Sequence, residues 1–306
     1  FDTLALHRLP IGTGPFRFAA WETGRAITLA RNDDYWGPKA WLDQVVIRVV
    51  KDETVATQLW EKGEFDLMTR IQPAVWRAIE AVDARNAWAW SGYHRVYFPE
   101  NLYGWIGWNE ERPFFKDRRV RRALAMLFPW DNVTRNIDMG LEPPVTCPYW
   151  QQSESCDPGV RPLPYDRAAA AKLLDEAGWK DTNADGVRDQ GGVPFRFTFL
   201  SNPHSVKLGK LLPLLQEEYR KVGIALDVEK VEASEYMRRL RTHDFDAASL
   251  SWGNPDPIKD NYQVFHSSQI DGGSNWAGYS SAEADQLLEK IRREADPQRR
   301  LTLERA

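Results

Sequence analysis

The chain has 306 residues, of which 42% are hydrophobic and 27% charged, and a formal net charge of −4. That composition is globular and long enough for two domains or one large one, and it supplies no basic stripe with which to neutralise phosphates, so nucleic acid is not an expected partner. No run approaches the roughly 20 apolar residues needed to cross a bilayer.

The opening third reads as sheet. Residues 16–18 and 26–30 alternate around a turn at 22–24, and 45–50 is a β-branched run. Residues 52–62 carry Val55, Leu59 and Trp60 at helical spacing and end at Gly63, the usual residue of a left-handed cap. The strand-like FDLMT follows, which predicts a strand, helix, strand unit. Around residues 98–112 the texture changes to PENLYGWIGWNEERPFF, and a domain boundary is expected near residue 100, with 1–100 and 101–306 on either side. Beyond it, helices are expected at 117–127, 166–177 (closed by Gly178), 208–222 (closed by Gly223) and 234–242. Strands are expected at 195–200, 224–231 and 245–252. Alternation of this kind predicts an α/β domain on a central sheet. The start, without Met or the basic and apolar regions of a signal peptide, and the end, an amphipathic RRLTLERA without a stop signal, are expected to be cuts through a longer protein.

Cys147 and Cys156, the two cysteines, lie close together in a Pro-rich stretch with no neighbouring His to complete a zinc set. A short local disulfide in an oxidising compartment is favoured over two free thiols. The run from Asp181 to Asp189, DTNADGVRD, places Asp181, Asn183, Asp185 and Asp189 at the spacing of a calcium loop, but its twelfth position is Gly192 where a bidentate Glu is expected. A surface turn whose side chains cap their own backbone is the favoured reading. There is no P-loop, dinucleotide fingerprint, HExxH or GxSxG, so no cofactor is implied and no catalytic set stands out. His266, in FHSSQ, has no identified acid beside it and reads as a hydrogen-bonded loop residue. Fourteen Trp is a large share. Trp60 and Trp76 lie on amphipathic patterns and are expected in or near the core; Trp105, Trp108, Trp252 and Trp276 flank Gly or Pro, where an aromatic either lines a pocket or packs inside.

Taken in order, several segments resemble one family, the family 5 extracellular solute-binding proteins of peptide and nickel ABC importers. They are GTGPFRFAAWETGRAITLARNDDYWG, LDQVVIRVVKDETVATQLWEKGEFDL, WNEERPFFKDRRVRRALAMLF, YDRAAAAKLLDEAGW with the DTNADGVRD loop, VGIALDVEKVEASEY, and HDFDAASLSWGNPDP. The resemblance runs from about residue 11 to the end. It implies a type II periplasmic-binding-protein-like fold of two lobes hinged around a cleft, of which 1–100 would be the latter part of lobe I and 101–306 most of lobe II. It further implies a monomeric periplasmic or extracytoplasmic receptor, membrane-tethered or free. Such a receptor takes peptide or another small solute, hands it to ABC permease subunits and does no covalent chemistry.

In peptide-binding members an acidic residue of a W-x-x-D-x-x-D-P type segment holds the ligand's amino group. Here the segment is Trp252-Gly-Asn254-Pro-Asp256-Pro, about two residues shorter, so Asp256 takes that place or the ligand lacks a free amino end. By the same resemblance Asn275 and Trp276 lie near the cleft, and Tyr103 and Trp105 lie on the strand entering lobe II. An oligosaccharide receptor, since sugars stack on Trp, and a hydrolase are the alternatives. Because a cleft needs both lobes, the chain alone is expected to fold but bind poorly.

Overall fold

The computed structural model describes residues 9–69, 71–83, 102–253 and 260–306. The chain divides into two compact units, Phe1–Val75 and Trp76–Ala306. The domain boundary expected near residue 100 falls outside the described residues.

In the first unit, β1 (Phe16–Glu22), β2 (Ala26–Arg31) and β3 (Gln44–Arg48) form an antiparallel sheet in sequence order. The β1–β2 hairpin pairs Glu22 with Ala26 and Phe16 with Arg31, with an irregularity between Phe18 and Ala20. α1 (Glu53–Glu61) starts where Asp52 accepts the Thr54 and Val55 N–H groups, and buries Trp60 to 4% exposure. It stops at Gly63, whose φ of 75° lets the N–H groups of Gly63 and Glu64 return to Trp60 and Leu59. The expected strand FDLMT does not form. Residues 65–69 have no ladder partner among the described residues; Phe65 instead lies under the Arg48 guanidinium, 5.0 Å from ring centre to charge. A strand needs a neighbour to bond with, and without one Leu67 is left 77% exposed.

α2 (Pro73–Asp83) spans the division between the units. The second unit then runs β4 (Leu102–Trp108), α3 (Arg118–Met126), the short α4 (Trp130–Asn132) continuing into a π-helical turn, and α5 (Arg167–Glu176). A two-residue ribbon follows, β5 (Asp189–Gln190) and β6 (Val193–Pro194), and after it β7 (Arg196–Ser201), α6 (Val206–Arg220), β8 (Ala225–Lys230), α7 (Ala233–Arg241) and β9 (Ala247–Gly253). The chain closes with α8 (Tyr262–Phe265), α9 (Ala282–Arg293) and α10 (Pro297–Glu304).

The main sheet has the order β4-β9-β7-β8. β7 and β8 run parallel, β9 joins β7 in parallel, and β4 lies antiparallel to β9. Central parallel strands must be covered on both faces, and β7 shows how one strand serves two cores. Phe197 and Phe199 point into a large cluster with Phe115, Leu124, Leu174, Leu215 and Tyr219, whereas Leu200 points into a smaller one with Tyr236, Leu240, Phe245 and Trp276. The helices α3, α5 and α6 supply the first face and α7 the second. The aromatic packing is specific: Phe115 meets Phe197 edge-on at 5.1 Å and Phe114 stacks on Phe195 at 5.4 Å.

Asn109, fully buried at the end of β4, ties the sheet together. Its amide donates to the carbonyls of His243 and Phe245 and its oxygen accepts the Glu111 N–H. Cys147 and Cys156 are joined by a disulfide with Cα atoms 5.7 Å apart, and Ser155 and Glu154 in the closed loop bond to Glu304 and Arg305 at the chain's end.

Candidate ligand site

On the α7 face of the sheet, β4 and β9 bring together three aromatic residues singled out from the sequence, Tyr103, Trp105 and Trp252, and a fourth, Trp276, joins them from the loop before α9. The antiparallel register places Tyr103 opposite Trp252 and Trp105 opposite Leu250. Trp105 and Trp252 stack at 6.4 Å with 14° between planes, and Trp252 meets Trp276 at 5.0 Å. Gly107 makes this possible: a side chain there would run into the Trp105 ring, which lies back along its own strand. Burial pushes the Tyr103 phenol up. The Trp105 Nε1–H is buried and has no hydrogen-bond partner among the described residues. Trp108, by contrast, packs against the larger core on the opposite face.

The loop carrying Asn275 and Trp276 is held from within. Asn275 is 2% exposed; its amide donates to His266 O and Tyr279 O, and its oxygen accepts the Tyr279 N–H. Both ends of that side chain are engaged in the loop. Trp276 donates its indole N–H to Gly273 O. Asn254 and Asp256 lie outside the described residues.

The edge of β9 is what the aromatic residues surround. β7 pairs with β9 only at Ala247 and Ala248. In an antiparallel pair, alternate residues direct both backbone groups to one neighbour; Asp246 O accepts the Asn109 N–H beyond β4 and Ser249 turns both its groups to Tyr236, so Ala248, Leu250 and Trp252 serve β4, while Ser249, Ser251 and Gly253 face the β7 side. Ser249 is met there by the Tyr236 hydroxyl of α7. Ser251 and Gly253 are exposed, and no described strand pairs with them on that side. The site is thus a short open strand edge at the carboxyl end of β9, walled by indoles, and fit to pair with an extended main chain. Tyr236 and Ser251 did not stand out from the sequence; a Tyr on the inward stripe of α7 was the available signal.

Elsewhere, the side chains of the DTNADGVRD loop are engaged with its own backbone and hydroxyl groups. Asp181 accepts the Gly186 N–H, Asn183 that of Asp185, Asp185 that of Val187, and Asp189 bonds Thr182. Among the described residues no group of three or more His, Cys, Asp or Glu is set to hold a metal ion. Ser267 and His266 are not arranged as nucleophile and base: Ser267 Oγ donates to Asp285, and His266 Nδ1 accepts the Ser268 N–H.

The chain belongs to the bacterial extracellular solute-binding proteins, family 5, whose middle-region model matches residues 2–272. It is 32% identical over 296 residues to the oligopeptide-binding protein AppA of Bacillus subtilis (strain 168), covering 94% of this chain and 52% of AppA. The solved structure of B. subtilis AppA in complex with a nonapeptide matches with a TM-score of 0.87 at 30% identity, over 97% of this chain and 57% of that one. Di/tripeptide-binding protein 1 of Pseudomonas aeruginosa (strain UCBPP-PA14) is 25% identical, with 97% of this chain and 53% of that protein covered. The fold is accordingly that of part of a type II periplasmic binding protein, and the chain spans about half the length of the curated relatives it matches. No helix among the described residues is long and apolar enough to cross a membrane.

Proposed function

We propose that this chain belongs to an extracytoplasmic receptor of an ABC importer that captures short peptides by closure of two lobes and delivers them unchanged to permease subunits, acting as a monomer without a cofactor. The observation that carries the reading is the open edge of β9 at Ser251 and Gly253 inside a wall of Trp105, Trp252 and Trp276. Backbone groups left by β7 pair with a ligand's main chain whatever its side chains, and indole surfaces accept varied side chains, so the site combines firm main-chain recognition with tolerance. Tyr103 extends the wall, Asn275 braces it, and the role of meeting a ligand terminus is assigned to Asn254 and Asp256, which follow β9 directly in sequence. Nothing in this work of binding calls for a nucleophile.

The test is native mass spectrometry of the complete receptor after exposure to cell extract, followed by identification of what co-purifies. A ladder of short peptides supports the reading. A sugar, for which three clustered indoles would be a stacking surface, would sink the peptide assignment, and recovery of cleaved peptides would sink the binding-only one.

A further inference from the structure

Tyr236 occupies a place in the sheet that is normally a strand's. Its hydroxyl donates to the Ser249 carbonyl at 2.6 Å and accepts the Ser249 N–H at 3.1 Å. Those are the two bonds a neighbouring strand would make with Ser249, so one phenolic oxygen lies beside β9 in the lane that β7 leaves after Ala248. The ring is fixed: Tyr236 is 5% exposed and packs with Leu200, Leu240 and Phe245. Two and four residues further along, Ser251 and Gly253 turn the same groups into the same lane.

We propose that Tyr236 is the register stop for the ligand main chain: it closes Ser249 to pairing and makes Ser251 the first position at which an added strand can bond. This rests on the peptide reading. A strand slipped toward Ala247 would meet the phenol in place of backbone, and slippage is the ordinary weakness of an edge whose contacts tolerate many side chains. The hydroxyl converts a sliding edge into one with a defined end. Tyr236 is a positioning residue: it touches β9 and acts on the ligand through the pairing that it forbids.

The experiment compares the complete receptor with its Tyr236→Phe variant by calorimetry, using oligoalanine peptides and a set of them N-methylated at one residue at a time. For the wild type, losing a single ligand N–H is expected to weaken binding roughly two- to ten-fold at the positions facing Ser251 and Gly253. In Tyr236→Phe the ring remains and Ser249 is freed, so a new sensitive position is expected two residues along the ligand. An unchanged methylation pattern in Tyr236→Phe, whatever the overall affinity, overturns the proposal and leaves the peptide reading intact; so does a wild type that binds peptides with no sensitive position. A wild type that binds no peptide removes the peptide reading itself, and the register stop with it. Ser251→Pro supplies an independent arm: it removes the N–H turned away from β4 and costs none of the hydrogen bonds between β9 and β4, and its fold is checked against the parent by circular dichroism. It is expected to weaken oligoalanine roughly two- to ten-fold, and wild-type affinity in this variant would also overturn the proposal.

Discussion

Replacing Asn109 by Ala should destabilise the second unit far more than the loss of one small polar side chain suggests. Asn109 is fully buried, and its amide makes three hydrogen bonds, to His243 O at 3.0 Å, Phe245 O at 2.9 Å and Glu111 N at 3.1 Å. Truncation leaves two carbonyls of the β9 approach and the Glu111 N–H after β4 without those partners, and at about 1–1.5 kcal/mol for each the cost is about 3–5 kcal/mol. For a unit of this size that corresponds to a melting temperature lower by about 6–20 °C. Differential scanning calorimetry of the chain measures it directly. Asn109→Asp tests the donor argument: a buried carboxylate facing two carbonyls should be at least as damaging at neutral pH and should recover as acid protonates it. A shift below about 2 °C for Asn109→Ala, or an Asn109→Asp variant as stable as the parent at neutral pH, would refute the reasoning.

Two further outcomes follow from the same structure. The Cys147–Cys156 bond closes a loop with a sequence separation of 9, so the double Ser variant should lose about 2–3 kcal/mol, and a reductant should lower the denaturation midpoint of the parent but not of the variant; a parent indifferent to reductant would rule this out. Burial pushes the Asp285 carboxyl up, but hydrogen bonds from the Ser267 hydroxyl and N–H outweigh it and hold the group below its usual range. Its folded value being the lower one, the stability it adds is present above about pH 4 and is lost as pH falls through the folded value. The gap between parent and Asp285→Asn in urea melts should therefore be about 1–3 kcal/mol at neutral pH and close in acid; a gap independent of pH would contradict the assignment.

The order of helices and strands was legible in the sequence because local chemistry sets it. Asp52, Asp117, Asp166 and Ser205 cap the helices that follow them, and Gly63, Gly178 and Gly223 take the positive φ that ends a helix. Those signals reside within a few residues of where they act. FDLMT was misread for the converse reason, since a strand is completed by a partner elsewhere in the chain.

The site divides the same way. Which residues carry aromatic and amide chemistry is a property of the sequence, and Tyr103, Trp105, Trp252 and Trp276 could be picked from it. That Asn275 turns inward, that Trp108 falls to the other face and that Tyr236 meets Ser249 depend on strand register, the alternation of a pleated strand and the packing of α7 across the sheet. The sequence by itself determined the element order, the caps and the family. Only the tertiary structure decided which edge of β9 stays open among the described residues, because an open edge is defined by the neighbour that stops short of it, and pairing with β7 stops at Ala248.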